Sequence, residues 1–201
     1  MTIKKLFAVM CVALLSACQG PAQYTGPALF IGDSITANWH VEWMLKDTIN
    51  ASSPTADIDG IHREGMAKIQ AVRPGLVHIM AGTQEGLERD NFKVARQVLS
   101  LAFAARKAGA VVVIATIPPV ANGGLTDTLF ANSRLANLFH VAARVCGFRL
   151  ADYNTALATN AGYAREELFS DGVHPNDEGY AVMRRVLFET LGVTPKQGWQ
   201  L

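Results

Sequence analysis

Apolar residues along this chain fall into short continuous runs and longer stretches of helical period, and the two kinds alternate. The runs at 28–31, 76–81 and 110–116 are the strand candidates. Apolar at all positions but His78 and Thr116, they suit strands covered on both faces. Between them, 35–49 and 91–108 carry apolar side chains at helical spacing. In the second stretch Phe92, Ala95, Val98, Leu99, Ala102 and Phe103 make one face, and Gly109 closes it. Two further helices are predicted over 132–145 and 177–191, with a short strand at 148–151 between them. The alternation predicts an α/β fold in three layers, α/β/α, around a central parallel sheet. No internal repeat, low-complexity tract or second domain interrupts it.

The opening of the chain breaks this pattern. Lys4 and Lys5 precede an apolar stretch over 6–15, and small residues follow, which is the layout of a secretion signal. Leu15-Ser16-Ala17-Cys18 resembles the bacterial lipobox, in which the cysteine is lipidated and becomes the mature N-terminus. That resemblance implies a signal peptide over 1–17, a lipidated Cys18 with a short turn-prone linker over 18–26, and one domain over 27–201. Each buried methylene contributes about 0.8 kcal/mol and a single acyl chain holds only marginally, so the several chains of such lipoproteins give stable attachment to a membrane. Gln19, not being Asp, leans toward the outer membrane of a Gram-negative envelope, facing the periplasm.

Charge narrows the partners. The 18 Lys and Arg nearly cancel the 17 Asp and Glu, leaving +1 and no basic field for a phosphate backbone, so nucleic acid is not an expected partner. Of the 3 cysteines, Cys11 leaves with the signal and Cys18 is acylated. Cys146 then stands alone in an apolar helical pattern, where a plain buried thiol is expected and an intramolecular disulfide is not.

Candidate chemistry begins at Gly32-Asp33-Ser34, directly after the first strand and before a helical pattern. Open α/β sheets build their sites at such carboxyl ends of strands. Asp and Ser are also ordinary helix caps, so these three residues alone favour capping. A second segment, Ser170-Asp171-Gly172-Val173-His174-Pro175-Asn176, changes that balance. A serine hydroxyl becomes a nucleophile at neutral pH only beside a base, and a histidine serves as base when a third group fixes its tautomer and orientation. Asp171, three residues ahead in a turn, can do that for His174, while Pro175 biases His174 away from helical backbone.

Together the two segments resemble the SGNH hydrolases, the GDSL-like esterases and lipases. Phe30-Ile31-Gly32-Asp33-Ser34-Ile35-Thr36 matches the family's first block, and Asp171-Gly172-Val173-His174-Pro175-Asn176 with Gly179-Tyr180 its last. Arg73-Pro74, Gly82-Thr83 and Thr116-Ile117-Pro118-Pro119-Val120 fall between them in the family's order, so the likeness spans 28–191. The resemblance implies the flavodoxin-like fold of that family and ester hydrolysis by acyl transfer, with Ser34 as nucleophile, His174 as base and Asp171 as its orienting carboxylate. It also implies an oxyanion hole built from the Ser34 amide, a glycine amide and an asparagine side chain. Gly60 is placed in the glycine role because Gly60 and Gly65 reproduce the block's spacing, with Gly65 as the alternative. In the family's Gly-Thr-Asn-Asp block, Gln84 stands here where the asparagine is usual. No metal or cofactor is required, and relatives use acyl esters, lysophospholipids and O-acetylated glycans. A different class of function, a binding or structural lipoprotein with weakened catalysis, is the competing reading, and the departure at Gln84 is what suggests it.

The remaining conspicuous residues are expected to be structural. His40, His62, His78 and His140 have no metal-site spacing. Trp39 and Trp43, four apart in the stretch after Ser34, are expected on one helix face, packed in the core. Pro118-Pro119 is expected to shape a rim loop.

Overall fold

A computed structural model of the chain describes residues 20–83, 90–120 and 126–193, with only the backbone over 126–132. Cys18, Gln84 and the signal segment lie outside the described residues. Five parallel strands form one sheet: β1 (Ala28–Gly32), β2 (Thr48–Asn50), β3 (Leu76–Met80), β4 (Val111–Ala115) and β5 (Arg149–Ala151), in the order β2-β1-β3-β4-β5. In register, Leu29 lies beside Val77 and Val77 beside Val112.

Alternate positions of the central strands point to opposite faces, and each face is apolar. Leu29, Ile31, Val77, Ile79, Val112 and Ile114 pack into one core with helices α2 (Ile58–Val72), α3 (Asn91–Lys107) and α4 (Thr126–Cys146). Ala28, Phe30, Leu76, Met80, Val113 and Ala115 pack into the other, with α1 (Ser34–Ala37), α5 (Tyr153–Leu157) and α6 (Asp177–Leu191). The expected three-layer architecture is therefore the observed one. Cys146, at the end of α4, is a half-buried free thiol.

The largest departure from the sequence pattern is at 35–49, where one long helix was expected. The chain instead forms the single turn of α1, a 3₁₀ turn at Val41–Trp43 and the edge strand β2. Side chains from elsewhere end α1 early. A helix leaves its last carbonyls without amide partners, and here the Asn50 amide of β2 donates to the carbonyl of Thr36 at 2.9 Å. Tyr180 of α6 donates to the carbonyl of Ile35 at 2.9 Å. Asp47, at φ 55°, then turns the chain through left-handed backbone into β2. As a result Trp39 and Trp43 do not share a face. Trp39 is buried among Phe30, His78, Tyr153 and Tyr180, whereas Trp43 is exposed and stacks on His40 with ring centres 5.1 Å apart.

Beyond that region, α2 starts at the Asp57 cap and includes both Gly60 and Gly65. The helix read at 132–145 begins six residues earlier, at Thr126. α5 follows β5 at once, capped by Asp152.

Candidate active site

The sheet order 2-1-3-4-5 reverses direction between β1 and β3, and ligand crevices of such sheets open at the carboxyl ends of the strands flanking that switch. β1 ends there in Gly32. A Cβ at this position would sit 2.3 Å from the Met80 carbonyl oxygen of β3 and 2.3 Å from the Thr36 hydroxyl, so only glycine lets the two strands and α1 meet. Asp33 follows in extended backbone and caps α1, accepting from the Ile35 amide at 3.2 Å. Its other carboxylate oxygen accepts from the Thr83 amide, beyond β3, at 3.1 Å. Burial pushes the Asp33 carboxyl up, against the hydrogen bonds from Thr83 and Ile35, which pull it down. Asp33 thus fixes the turn that presents Ser34 and ties it to the segment after β3.

Ser34 and the second segment meet at this edge. The Ser34 hydroxyl lies 2.9 Å from Nε2 of His174, and Nδ1 of His174 lies 2.7 Å from Oδ2 of Asp171. The other Asp171 oxygen accepts from the amides of His174 at 2.7 Å and Val173 at 2.9 Å. Those amides, with the imidazole, hold the Asp171 carboxyl down at about 2 although the group is exposed. An ionised Asp171 requires the proton on Nδ1, which leaves Nε2 as the acceptor of the Ser34 hydroxyl proton.

The loop carrying these two residues is held at both ends. Phe169 bridges Pro175, and the Ser170 amide donates to the His174 carbonyl at 2.9 Å. Asn176 caps α6 through the Gly179 amide at 3.1 Å, while its own side chain donates to the Glu167 carbonyl at 2.8 Å. Gly179 is needed for this fit, since a Cβ there would lie 2.3 Å from the Leu168 carbonyl oxygen.

The glycines expected to serve an oxyanion are placed differently. Gly60 lies in the first turn of α2, and its amide donates to the Asp57 cap at 2.8 Å. A role at an oxyanion requires that bond to be given up or shared. Gly65 faces Ile31 and Leu101, where a Cβ would lie 2.9 Å from Leu101, so it is a packing glycine between β1, α2 and α3.

Two features escaped the sequence reading. One is the bond from Tyr180 to Ile35, for which the Gly179-Tyr180 pair was the available signal. The other is a second carboxylate–imidazole pair, with His140 Nε2 of α4 lying 3.0 Å from Asp152 Oδ2 at the end of β5. Asp152 also accepts from the hydroxyls of Thr116 at 2.9 Å and Thr155 at 2.7 Å. Elsewhere, His62 Nε2 and the Ser100 hydroxyl lie 2.9 Å apart, joining α2 to α3. A groove of about 330 Å³ between α3 and α4, lined by Phe92, Arg134 and Val141 among others, includes none of Ser34, Asp171 and His174.

Comparison with known proteins agrees with this architecture. The profile of the GDSL-like Lipase/Acylhydrolase family matches residues 30–182. No curated protein matches the chain. Among solved structures, a GDSL-like lipase from Bacteroides thetaiotaomicron superposes with TM-score 0.72 at 17% identity, covering 92% of this chain and 97% of that one. A catalytic mutant of Axe2, an acetylxylan esterase from Geobacillus stearothermophilus, gives TM-score 0.74 at 14% identity, over 87% of this chain and 97% of that one. TesA gives TM-score 0.64 at 24% identity, over 82% and 97%. With its blocks in order along the match and its sheet in the corresponding fold, the chain belongs to the GDSL-like lipase/acylhydrolase family.

Proposed function

We propose that the protein is a serine ester hydrolase in which Ser34, His174 and Asp171 act as a triad. The observation that carries this reading is the unbroken chain of contacts from the Ser34 hydroxyl through both nitrogens of His174 to Asp171, at 2.9 and 2.7 Å. In the proposed reaction His174 takes the Ser34 proton as the hydroxyl oxygen attacks an ester carbonyl, then returns it to the leaving alcohol. Water, activated by the same imidazole, attacks the acyl-enzyme, releases the acid and restores Ser34. Asp171 holds the imidazole and offsets its positive charge.

For the oxyanion, the proposed donors are the amide of Ser34, at the first position of α1, and the side chain of Gln84. Support for the second is positional, since Thr83, its neighbour, is bonded to Asp33 beside the nucleophile. Gly60 joins them only if its amide leaves Asp57.

A small acyl ester, a lysophospholipid or an O-acetylated glycan is the proposed substrate class, with attachment to the bacterial envelope through Cys18. An acetylxylan esterase among the structural neighbours supports the acetyl end of that range. The decisive experiment is fluorophosphonate labelling of the purified protein, expected in the wild type and absent in Ser34→Ala, alongside hydrolysis of esters of two to sixteen acyl carbons. No labelling together with no hydrolysis overturns the reading. Incorporation of labelled fatty acid, abolished in Cys18→Ala, tests the anchor.

A further inference from the structure

The two halves of the proposed triad come from opposite ends of the chain, Ser34 from the turn after β1 and His174 from the loop before α6. A hydrogen bond at 2.9 Å between them tolerates little relative movement. α1, which begins at Ser34, is only 4 residues long and cannot hold itself by its own backbone bonds. Its internal bonds run from the Ala37 amide to Asp33 and from the Asn38 amide to Ser34. At the next position the ladder fails, because the Trp39 amide turns to the carbonyl of Thr36 at 3.2 Å. The carbonyl of Ile35 is thereby left to a side chain, and that side chain is Tyr180, at 2.9 Å.

Tyr180 lies in the first turn of α6, six residues after His174. The start of α6 is itself immobilised by the Asn176 cap and by the contact of Gly179 with the Leu168 carbonyl. The Tyr180 ring stacks on Trp39, with centres 6.0 Å apart and planes 19° apart, so its hydroxyl is aimed by packing on α1's own trailing residue. We propose that Tyr180 is a positioning residue for the hydrolytic reaction: its hydroxyl replaces the missing amide of α1 and locks the residue after Ser34 to the helix that directly follows the His174 loop. Burial, with the negative charges of Asp33 and Asp171, raises the Tyr180 phenol well above its ordinary value, so it remains a neutral donor at every pH at which the site works. The proposal rests on the hydrolase reading for its kinetic consequence, and on geometry alone for its structural one.

The test is Tyr180→Phe, which keeps the ring on Trp39 and removes the donor. With p-nitrophenyl acetate, kcat is expected to fall roughly ten-fold with KM within about two-fold, since misplacement of reacting groups is felt in the chemical step. Asn50→Ala supplies the control, because it removes the neighbouring bond to Thr36 without touching α6 or the His174 loop. It should lower the thermal midpoint yet leave kcat within about two-fold. In parallel, the NMR signals of the His174 ring nitrogens should move in Tyr180→Phe in the same direction as in Ser34→Ala, since both changes weaken the contact with the Ser34 hydroxyl. Wild-type kinetics and wild-type His174 ring signals in Tyr180→Phe overturn the proposal, as does an equal loss of kcat in Asn50→Ala, which would reduce the effect to fraying of α1. If the wild type hydrolyses no ester, the hydrolase reading fails, while the His174 ring signals still decide whether Tyr180 sets its contact with Ser34.

Discussion

Two carboxylate–imidazole pairs stand at the carboxyl edge of the same sheet, and they are wired in opposite senses. In the first, Asp171 holds one nitrogen of His174 and the other nitrogen meets the Ser34 hydroxyl. In the second, Asp152 holds His140, but the hydroxyls of Thr116 and Thr155 are attached to the carboxylate and not to the ring. A hydroxyl on the imidazole has a base for its proton. Thr116, on the carboxylate, is a donor to an ionised oxygen and itself accepts from the Asn154 amide at 2.8 Å, which makes it a cap for α5. The nearness of His and Asp is common to both, so what separates the proposed nucleophile from a structural clasp is which member of the pair receives the hydroxyl.

The strongest way to break this comparison is to remove the rings and the hydroxyls. Ser34→Ala or His174→Ala should each lower kcat by about 10⁴–10⁶ in an ester assay. His140→Ala and Thr116→Val should stay within about three-fold, and a large kinetic loss from either would erase the distinction. Exchanging the carboxylates sharpens it next. Asp171→Asn should cost roughly 10²–10⁴ in kcat. Asp152→Asn should leave turnover nearly intact but destabilise by about 2 kcal/mol, a fall of roughly 6 °C in thermal midpoint, because several donors lose an acceptor.

A third histidine extends the contrast into the core. His78 of β3 is fully buried, with Nε2 3.0 Å from the Tyr153 hydroxyl, and burial pushes its imidazole down to about 3. The unfolded chain binds a proton there below about pH 6.5 and the folded one does not, so stability is whole above that value and declines as pH falls toward 3. Denaturant titrations should show a slope of about 1.4 kcal/mol per pH unit from this residue, removed in His78→Gln. The smallest effect concerns Asp171, held at about 2. Its contribution to stability is present above the unfolded value near 4 and is lost as pH falls through 2. The midpoint difference between wild type and Asp171→Asn should therefore close over that interval. Solvent screening keeps it to about 2 °C or less.

Residues within a few positions of each other were the legible part of this molecule. The runs that became β1, β3 and β4 declared themselves by continuous apolarity, and Asp171 with His174 by a spacing that a turn can close. His140 and Asp152, on different elements, carry no such local mark. The stretch 35–49 misled because its helical period is real over one turn, while the groups that stop the helix, Asn50 and Tyr180, arrive from β2 and α6. The glycines of α2 were legible as glycines only. Their roles, one amide spent on Asp57 and one bare face against Leu101, depend on what the sheet brings opposite them.

The pinning of residues 20–22 bears on how a tethered form would be oriented. Arg149 donates to the carbonyls of Gly20 and Thr190, and the Ala22 amide donates to the Leu191 carbonyl at 2.6 Å, so the start of the described chain is fastened to the far end of α6. The 15 residues of α6 put about 22 Å between that fastening and the His174 loop. A lipid on Cys18 would therefore leave the mouth of the site pointing away from the leaflet that holds it. If the proposed anchor and hydrolase both hold, an enzyme hung this way would reach a polymer or a diffusing ester across the gap more readily than the lipids beneath its own anchor.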